Sequence, residues 1–149
     1  MACFVEDFEI GKRVTTRGRT ISEADVHLFA GLVGDWTPIH VDEAYSKKQL
    51  FGTRIAHGTL VMSTAIGLFS QMGYLDEGVI ALLNLNFDSK GSVKLGDTIY
   101  AHVTFAEARV SKSRKGAGVV TFRFEVVNQD EELIETGTMT VLMKARGNQ

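Results

Sequence analysis

An acid and a histidine, Asp35 and His40, lie five positions apart and flank the only proline of the chain, in the segment 35–40 (DWTPIH). Pro38 fixes its own φ and biases Thr37 toward extended geometry, so we expect a rigid, irregular turn that leaves the helical path. Such a turn can direct both side chains at one water molecule and move protons to and from a polarised substrate. The spacing alone leaves an alternative open, in which the acid only forms a turn and the histidine only packs.

A second candidate is the pair His57 and Gly58, which stands immediately before an apolar segment. A helix start presents unpaired backbone N–H groups and the positive end of the helix dipole, and a glycine lets a ligand carbonyl approach closely. The Gly58 N–H is therefore a candidate oxyanion donor. The alternative is that the glycine only lets the chain enter a crowded helix.

Three helical segments are predicted in the first half of the chain. Ser22 is a predicted N-cap with Asp25 at the capping-box position, and the helical spacing that follows ends at Gly34. A short helix is predicted over 42–49. The third, over 59–72, is apolar around most of its circumference, which is typical of a buried helix wrapped by strands.

From about residue 79 onward the apolar residues alternate with polar ones, which predicts half-buried strands. The predicted core-facing residues are Leu83, Leu85 and Phe87; Ile99, Ala101, Val103 and Phe105; and Val120, Phe122, Phe124 and Val126; a further strand covers 133–143. Short connections predict an antiparallel meander or nearly so, and a strand over 13–20 brings the sheet to about five strands. The expected class is α+β, with a curved antiparallel sheet around one long helix.

Three segments together carry a family resemblance. Residues 29–45 (FAGLVGDWTPIHVDEAY) resemble the hydratase signature of MaoC-like dehydratases and R-specific enoyl-CoA hydratases, whose core is Asp-x-Asn-Pro-hydrophobic-His. Residues 51–58 (FGTRIAHG) are similar to the family's approach to its central helix, and 93–98 (VKLGDT) precede a strand, as they do in the family. The order and spacing of the three match across nearly the whole chain.

The resemblance implies a single hot-dog domain over 1–149, a homodimer or higher homo-oligomer, and an acyl-thioester ligand whose pantetheine arm enters along the dimer interface. In that family context Asp35 and His40 would bind and activate the water added across the α,β double bond. The Gly58 N–H would polarise the thioester carbonyl, and Thr37 and His57 would contribute to substrate binding. Which of Asp35 and His40 takes the first proton is left open.

Two positions depart from the family pattern. Thr37 replaces the family's asparagine, which keeps a hydrogen-bonding side chain but shortens its reach. Ile66 stands where many members carry a serine that bonds the catalytic acid. We expect these changes to affect ligand positioning and the support of Asp35 more than the type of reaction.

The charge balance excludes some partners and directs attention to local cation clusters. With 16 basic and 18 acidic residues the net charge is -2, which gives no general attraction to nucleic acid or to an anionic membrane. Coenzyme A phosphates would need a local site. The candidates are Arg54 near His57 and the loop cations Lys112, Arg114 and Lys115. A surface ion pair and a solvated hairpin tip are the respective alternatives.

Location and cofactors follow from what the sequence lacks. The single cysteine, Cys3, cannot form an internal disulfide, and the acidic N-terminus does not resemble a signal peptide, so a cytoplasmic protein is expected. The longest weakly polar stretch, 59–69, is short for a bilayer span. The four histidines lack the paired spacing of a zinc site, so no metal and no cofactor beyond the coenzyme A of the substrate is expected.

Together these features predict reversible hydration of an enoyl-CoA to a 3-hydroxyacyl-CoA, or the equivalent reaction on an acyl-carrier-protein thioester. Two alternatives use the same fold. One is a non-catalytic acyl-CoA-binding or assembly module, and the other is a hot-dog thioesterase. The thioesterase is the less favoured because such enzymes usually carry an acid near the start of the central helix, and the segment 59–62 (TLVM) has none.

Overall fold

The computed structural model describes residues 3–147. The helical elements are a 3-10 helix (Val5–Asp7), α1 (Glu23–Val33), α2 (Pro38–Val41), α3 (Glu43–Ser46) and α4 (Gly58–Ser70). The strands are β1 (Arg13–Thr15), β2 (Arg19–Thr20), β3 (Val79–Ser89), β4 (Thr98–Val110), β5 (Ala117–Val127) and β6 (Leu133–Lys144). The predicted change from helical to extended structure near residue 79 is confirmed.

The helix α1 begins and ends where its sequence signals predict. The Ser22 hydroxyl accepts from Asp25 N at 3.2 Å, and Ser22 N donates to the Asp25 carboxylate at 2.8 Å. At the other end Gly34 takes a left-handed conformation with φ of 80°, which favours glycine. Asp35 is therefore the first residue after the C-cap of α1.

The helix α4 is the central helix of the fold. It runs from Gly58 to Ser70, close to the predicted 59–72, and buries residues on more than one face: Leu60, Val61, Met62, Ala65, Leu68 and Phe69. The predicted short helix over 42–49 is only one turn long. It is α3, whose N-cap Asp42 accepts from Tyr45 N.

One antiparallel sheet of six strands wraps α4, in the order β1-β4-β5-β6-β3, with β2 also paired to β4. The core-facing residues predicted for β4 and β5 are all buried. The predicted strand over 13–20 is divided into β1 and β2, because Thr16 turns inward and its hydroxyl accepts from Ala101 N. Only β4, β5 and β6 form a meander, since β3 pairs with β6 instead of β4.

The edge strand β3 differs from expectation. Leu83 and Leu85 were predicted to face the core, but both are exposed in the single chain, together with Ile80 and Leu82. The two ends of β3 pack inward, where Val79 and Phe87 contact the core. The exposed apolar residues lie on a strand with one unpaired edge. Among the described helices none is long and apolar enough to cross a membrane.

Candidate active site

The turn after α1 places the acid and the histidine on either side of Pro38. Pro38 begins the short helix α2, which corrects the expectation that it holds the chain out of helix altogether. The first position of a helix suits proline because the missing N–H has no intrahelical acceptor there. Thr37 remains extended in ψ at 131°, as its position before proline requires. Asp35 therefore precedes a sharp change of direction, and His40 follows it on a helical turn.

Asp35 is held as a carboxylate by its neighbour Thr37. The Thr37 hydroxyl donates to Asp35 Oδ1 at 2.5 Å, and Thr37 N donates to the same oxygen at 3.2 Å. The side-chain hydrogen bond from Thr37 is the main cause that lowers the pKa of Asp35, followed by the backbone hydrogen bond. Thr37 thus supplies support to the acid in a chain that has Ile66 at the family's serine position.

His40 is buried, and its hydrogen bond fixes its tautomer. Nδ1 lies 2.7 Å from the carbonyl oxygen of Ile55, and since a carbonyl can only accept, Nδ1 carries the hydrogen. Nε2 then has a free lone pair while the ring is neutral. Burial is the main cause that lowers the pKa of His40 below its usual value, so the neutral form dominates at neutral pH.

His57 contacts both residues of the predicted pair. Its Nε2 donates to the backbone oxygen of Asp35 at 3.0 Å, and its ring stacks on His40 with centroids 3.8 Å apart. Phe29 packs on the ring at 5.1 Å. His57 is almost fully buried by these contacts, and its contribution to substrate binding stays a prediction.

The turn brings the predicted pair together. One ligating atom each from Asp35, His40 and His57 lies within 4.8 Å of the others. A water can bridge an acceptor pair at this separation, because two hydrogen bonds of ordinary length span about 5.5 Å. A metal is a poorer fit to the trio. The two imidazoles are stacked 27° from parallel, so their in-plane lone pairs do not converge on one point.

A cavity of about 280 Å³ opens beside His40 and the first residue of α4, Gly58. Its walls are mostly apolar, and Ser89, Ser92 and Glu135 are its other polar side chains. The Gly58 N–H has no acceptor within residues 3–147 and belongs to the positive end of a helix of 13 residues. The cavity therefore joins a candidate oxyanion donor to a space suited to an acyl chain.

Glu135 is a buried acid at this cavity that was not among the predicted site residues. It lies on the helix-facing side of β6, in the row that continues with Gly137, Met139, Val141 and Met143, and it is 1% exposed. Burial raises its pKa to about 8. The feature of the sequence that could have indicated Glu135 is an acid at the first inward position of the otherwise apolar row of β6.

The predicted phosphate ligands do not gather at this cavity within one chain. Arg54 is 17% exposed and forms ion pairs with Glu23 at 2.5 Å and with Glu43 at 3.0 Å. Its guanidinium charge is therefore balanced by two carboxylates of the same chain. Lys112, Arg114 and Lys115 lie in the β4–β5 hairpin, at the end of the sheet where Ala117 pairs with Lys144. The cavity lies at the opposite end of β6, where Glu135 is one of its lining residues.

Two other cations lie closer. Lys90 and Lys94 line a polar cavity of about 520 Å³ that shares Gly91, Ser92 and Ile134 with the smaller cavity. Neither lysine was predicted as a ligand, because isolated lysines near turns are common on protein surfaces.

Known proteins are similar to this chain in sequence and in fold. The family model of the MaoC-like domain matches residues 7–128. An (R)-specific enoyl-CoA hydratase of Rhodospirillum rubrum is 37% identical over 145 residues, which cover 97% of this chain and 94% of that protein. A structure described as a monoamine oxidase regulatory protein from Archaeoglobus fulgius superposes with a TM-score of 0.90 at 34% identity, covering 97% of this chain and 96% of that one.

A more distant structure establishes the fold. A conserved hypothetical protein from Mycobacterium tuberculosis, described as having a double hotdog fold, superposes with a TM-score of 0.83 at 19% identity. The match covers 99% of this chain and 46% of that one, so this chain corresponds to about half of the larger protein. The chain therefore has the hot-dog fold and belongs to the MaoC-like domain family.

Proposed function

We propose that this chain catalyses the reversible hydration of an α,β-unsaturated acyl thioester, giving a 3-hydroxyacyl thioester. The observation that carries the proposal is the closeness of Asp35 and His40, whose ligating atoms lie within 4.8 Å of each other, beside a cavity that His40 and Gly58 both line. Water addition needs a base for the water, a proton for the α carbon and a site for enolate charge. These three groups supply each of them.

The protonation states assign the roles. The water is held by the Asp35 carboxylate and by Nε2 of His40. His40 accepts a proton as the oxygen bonds to the β carbon, because a neutral imidazole is a better base than a carboxylate whose pKa is lowered by hydrogen bonds from Thr37. The π electrons move to the thioester oxygen, where the Gly58 N–H stabilises the negative charge. Collapse of the enolate takes the proton back from His40 to the α carbon, which balances the reaction.

We also infer the substrate class and the cellular setting. The similarity to an (R)-specific enoyl-CoA hydratase supports a coenzyme A thioester, with a carrier-protein thioester as the other form of the same substrate. The reaction as proposed uses no cofactor beyond the coenzyme A of the substrate, and no nucleic acid or membrane. We place it in the cytoplasm because the single cysteine cannot form an internal disulfide.

A panel of enoyl-CoA substrates of increasing chain length tests the proposal. We expect loss of the ultraviolet absorbance of the conjugated thioester and formation of the 3-hydroxyacyl-CoA, identified by mass spectrometry. Release of free coenzyme A thiol without hydration would show a thioesterase instead. Tight binding of enoyl-CoA with no turnover at any chain length would show a binding module.

We also propose that two copies of the chain associate along β3. This strand has one unpaired edge and carries exposed Ile80, Leu82, Leu83 and Leu85, a combination that isolated proteins avoid because it invites pairing with another strand. The double hotdog fold of the distant relative, of which this chain corresponds to about half, supports the association of two such units.

Replacing Leu82 by lysine is expected to shift the protein toward the monomer. Leu82 is 57% exposed in the single chain, so the change leaves the core intact while placing a charge in the proposed interface. Sedimentation velocity should give about twice the chain mass for the original protein and a concentration-dependent decrease for Leu82→Lys. Leu32→Lys, at an exposed leucine on α1, is the matched control and should leave the mass unchanged. A monomer before any substitution would contradict the proposal.

A further inference from the structure

Glu135 is a buried acid whose partner the described chain does not provide. It is 1% exposed, and its Oε2 has no hydrogen-bond partner within residues 3–147. Its neighbours across the sheet are Ser89 on β3 and Val126 on β5, neither of which carries a charge. A polar group buried without a partner costs free energy that an apolar residue would not. A bound ligand could supply the hydrogen-bond partner that Glu135 lacks.

The carboxyl of Glu135 also faces the start of α4. Its Oε1 lies 3.1 Å from the position that a Cβ on Gly58 would occupy, and both residues line the same cavity. A Cβ lies about 2.5 Å from the nitrogen of its own residue, so Oε1 is at most about 5.6 Å from Gly58 N. One oxygen atom placed between them can accept hydrogen bonds of ordinary length from both.

Glu135 holds a proton under ordinary conditions. Burial raises its pKa to about 8, and desolvation is the sole cause. The carboxyl is therefore a hydrogen-bond donor at neutral pH, and a poor base or nucleophile. This protonation state argues against the direct attack on the thioester that a hydrolase would require.

We propose that Glu135 is a second hydrogen-bond donor to the thioester carbonyl oxygen, acting beside the Gly58 N–H. The inference rests on the proposed function and deepens it. As the π electrons move to the carbonyl oxygen, the two donors meet the developing negative charge from adjacent directions in an apolar cavity. No proton is transferred, so the balance of the hydration reaction is unchanged.

Two variants separate donation from packing. Glu135→Gln keeps a donor of nearly the same size, whereas Glu135→Leu keeps the volume and removes the donor. With a short enoyl-CoA whose acyl chain has no polar atom, we expect Glu135→Leu to lower kcat by about 10²-fold with a small change in KM. Glu135→Gln should retain kcat within about tenfold of the original protein. Thr136→Leu, at the next position on the opposite face of β6, is the matched control and should be nearly unaffected.

The pH dependence provides a second readout. Ser89 on β3 and Val126 on β5 are the cross-strand neighbours of Glu135, Gly58 of α4 lines the same cavity, and His40 of α2 is the only other titratable residue that lines it. His40 must be neutral and Glu135 protonated, so kcat/KM should rise through the lowered pKa of His40 and fall above about pH 8. The alkaline decrease should be absent in Glu135→Gln.

A spectroscopic test observes the carbonyl without turnover. In an Asp35→Asn background, binding of a conjugated dienoyl-CoA should shift its absorbance to longer wavelength, because donors at the carbonyl polarise the conjugated system. Adding Glu135→Leu should reduce the shift, and adding Glu135→Gln should retain it.

The outcomes distinguish this inference from the proposed function. If the original protein hydrates no enoyl-CoA, the proposed function fails before Glu135 is tested. If the original protein is active and Glu135→Leu matches its kcat and its spectral shift, only the role of Glu135 is overturned. A defect confined to substrates with polar acyl chains would likewise overturn it, because Glu135 would then bind the acyl group and not the carbonyl.

Discussion

Replacing Asp35 by asparagine or His40 by glutamine is expected to lower kcat for hydration by about 10³-fold or more. Asparagine keeps an oxygen that can accept from Thr37, so the turn should persist while the carboxylate charge is lost. Glutamine keeps a donor for the Ile55 carbonyl but offers no basic nitrogen to the water. Stopped-flow or steady-state hydration of a short enoyl-CoA measures both effects.

The double variant separates a shared water from two independent contributions. Residues that act on the same water as a unit lose activity together, so the double variant should be only slightly slower than the worse single variant. His27→Gln, at a histidine of α1 that bonds Glu23 O, is the control and should leave kcat nearly unchanged. Activity near the original level in either Asp35→Asn or His40→Gln would remove the site assignment.

The local parts of this site could be predicted from the sequence because short-range signals determine them. Ser22, Asp25 and Gly34 fix where α1 begins and ends, and the end of α1 fixes where Asp35 emerges. Pro38 then forces the change of direction, although its exact effect was to start a helix and not to prevent one. Capping and proline geometry need only neighbours in sequence, so they can be inferred from a few residues.

The remaining features depend on partners distant in sequence. The pairing of β3 with β6 joins residues 46 to 64 positions apart, from Ser89–Glu135 to Val79–Met143, which alternation cannot specify. The ion pairs of Arg54 with Glu43 and Glu23 join residues 11 and 31 positions apart, which the sequence alone does not specify. Glu135 belongs to a segment that also carries charged surface residues, and only the sheet register shows that it points at α4.

Glu135→Gln is expected to stabilise the protein increasingly as pH rises from about 5 to 9. The pKa of Glu135 is raised to about 8 in the folded chain from an ordinary value of 4.5, so the folded state binds more protons than the unfolded state between these values. The contribution of Glu135 to the free energy of unfolding is therefore fully present below the pKa of the unfolded state. It is lost as the pH rises through the pKa of the folded state. At 1.36 kcal/mol per pKa unit the loss is on the order of 3–5 kcal/mol.

Thermal unfolding at one protein concentration across this pH range measures the effect. The difference in Tm between Glu135→Gln and the original protein should widen by roughly 5–15 °C from pH 5 to pH 9. Glu77→Gln, at an exposed glutamate in the turn after α4, should track the original protein. A Tm difference that stays constant with pH would contradict the raised pKa.

The stability and activity results constrain each other. A buried acid that weakens the fold at alkaline pH carries a stability cost, since glutamine or leucine would fill the same space at less cost. We therefore expect Glu135→Leu to melt higher than the original protein at pH 8 and above, yet turn over more slowly. If Glu135→Leu were instead more stable and equally active, the acid would contribute nothing to hydration, and Gly58 alone would remain as the oxyanion donor.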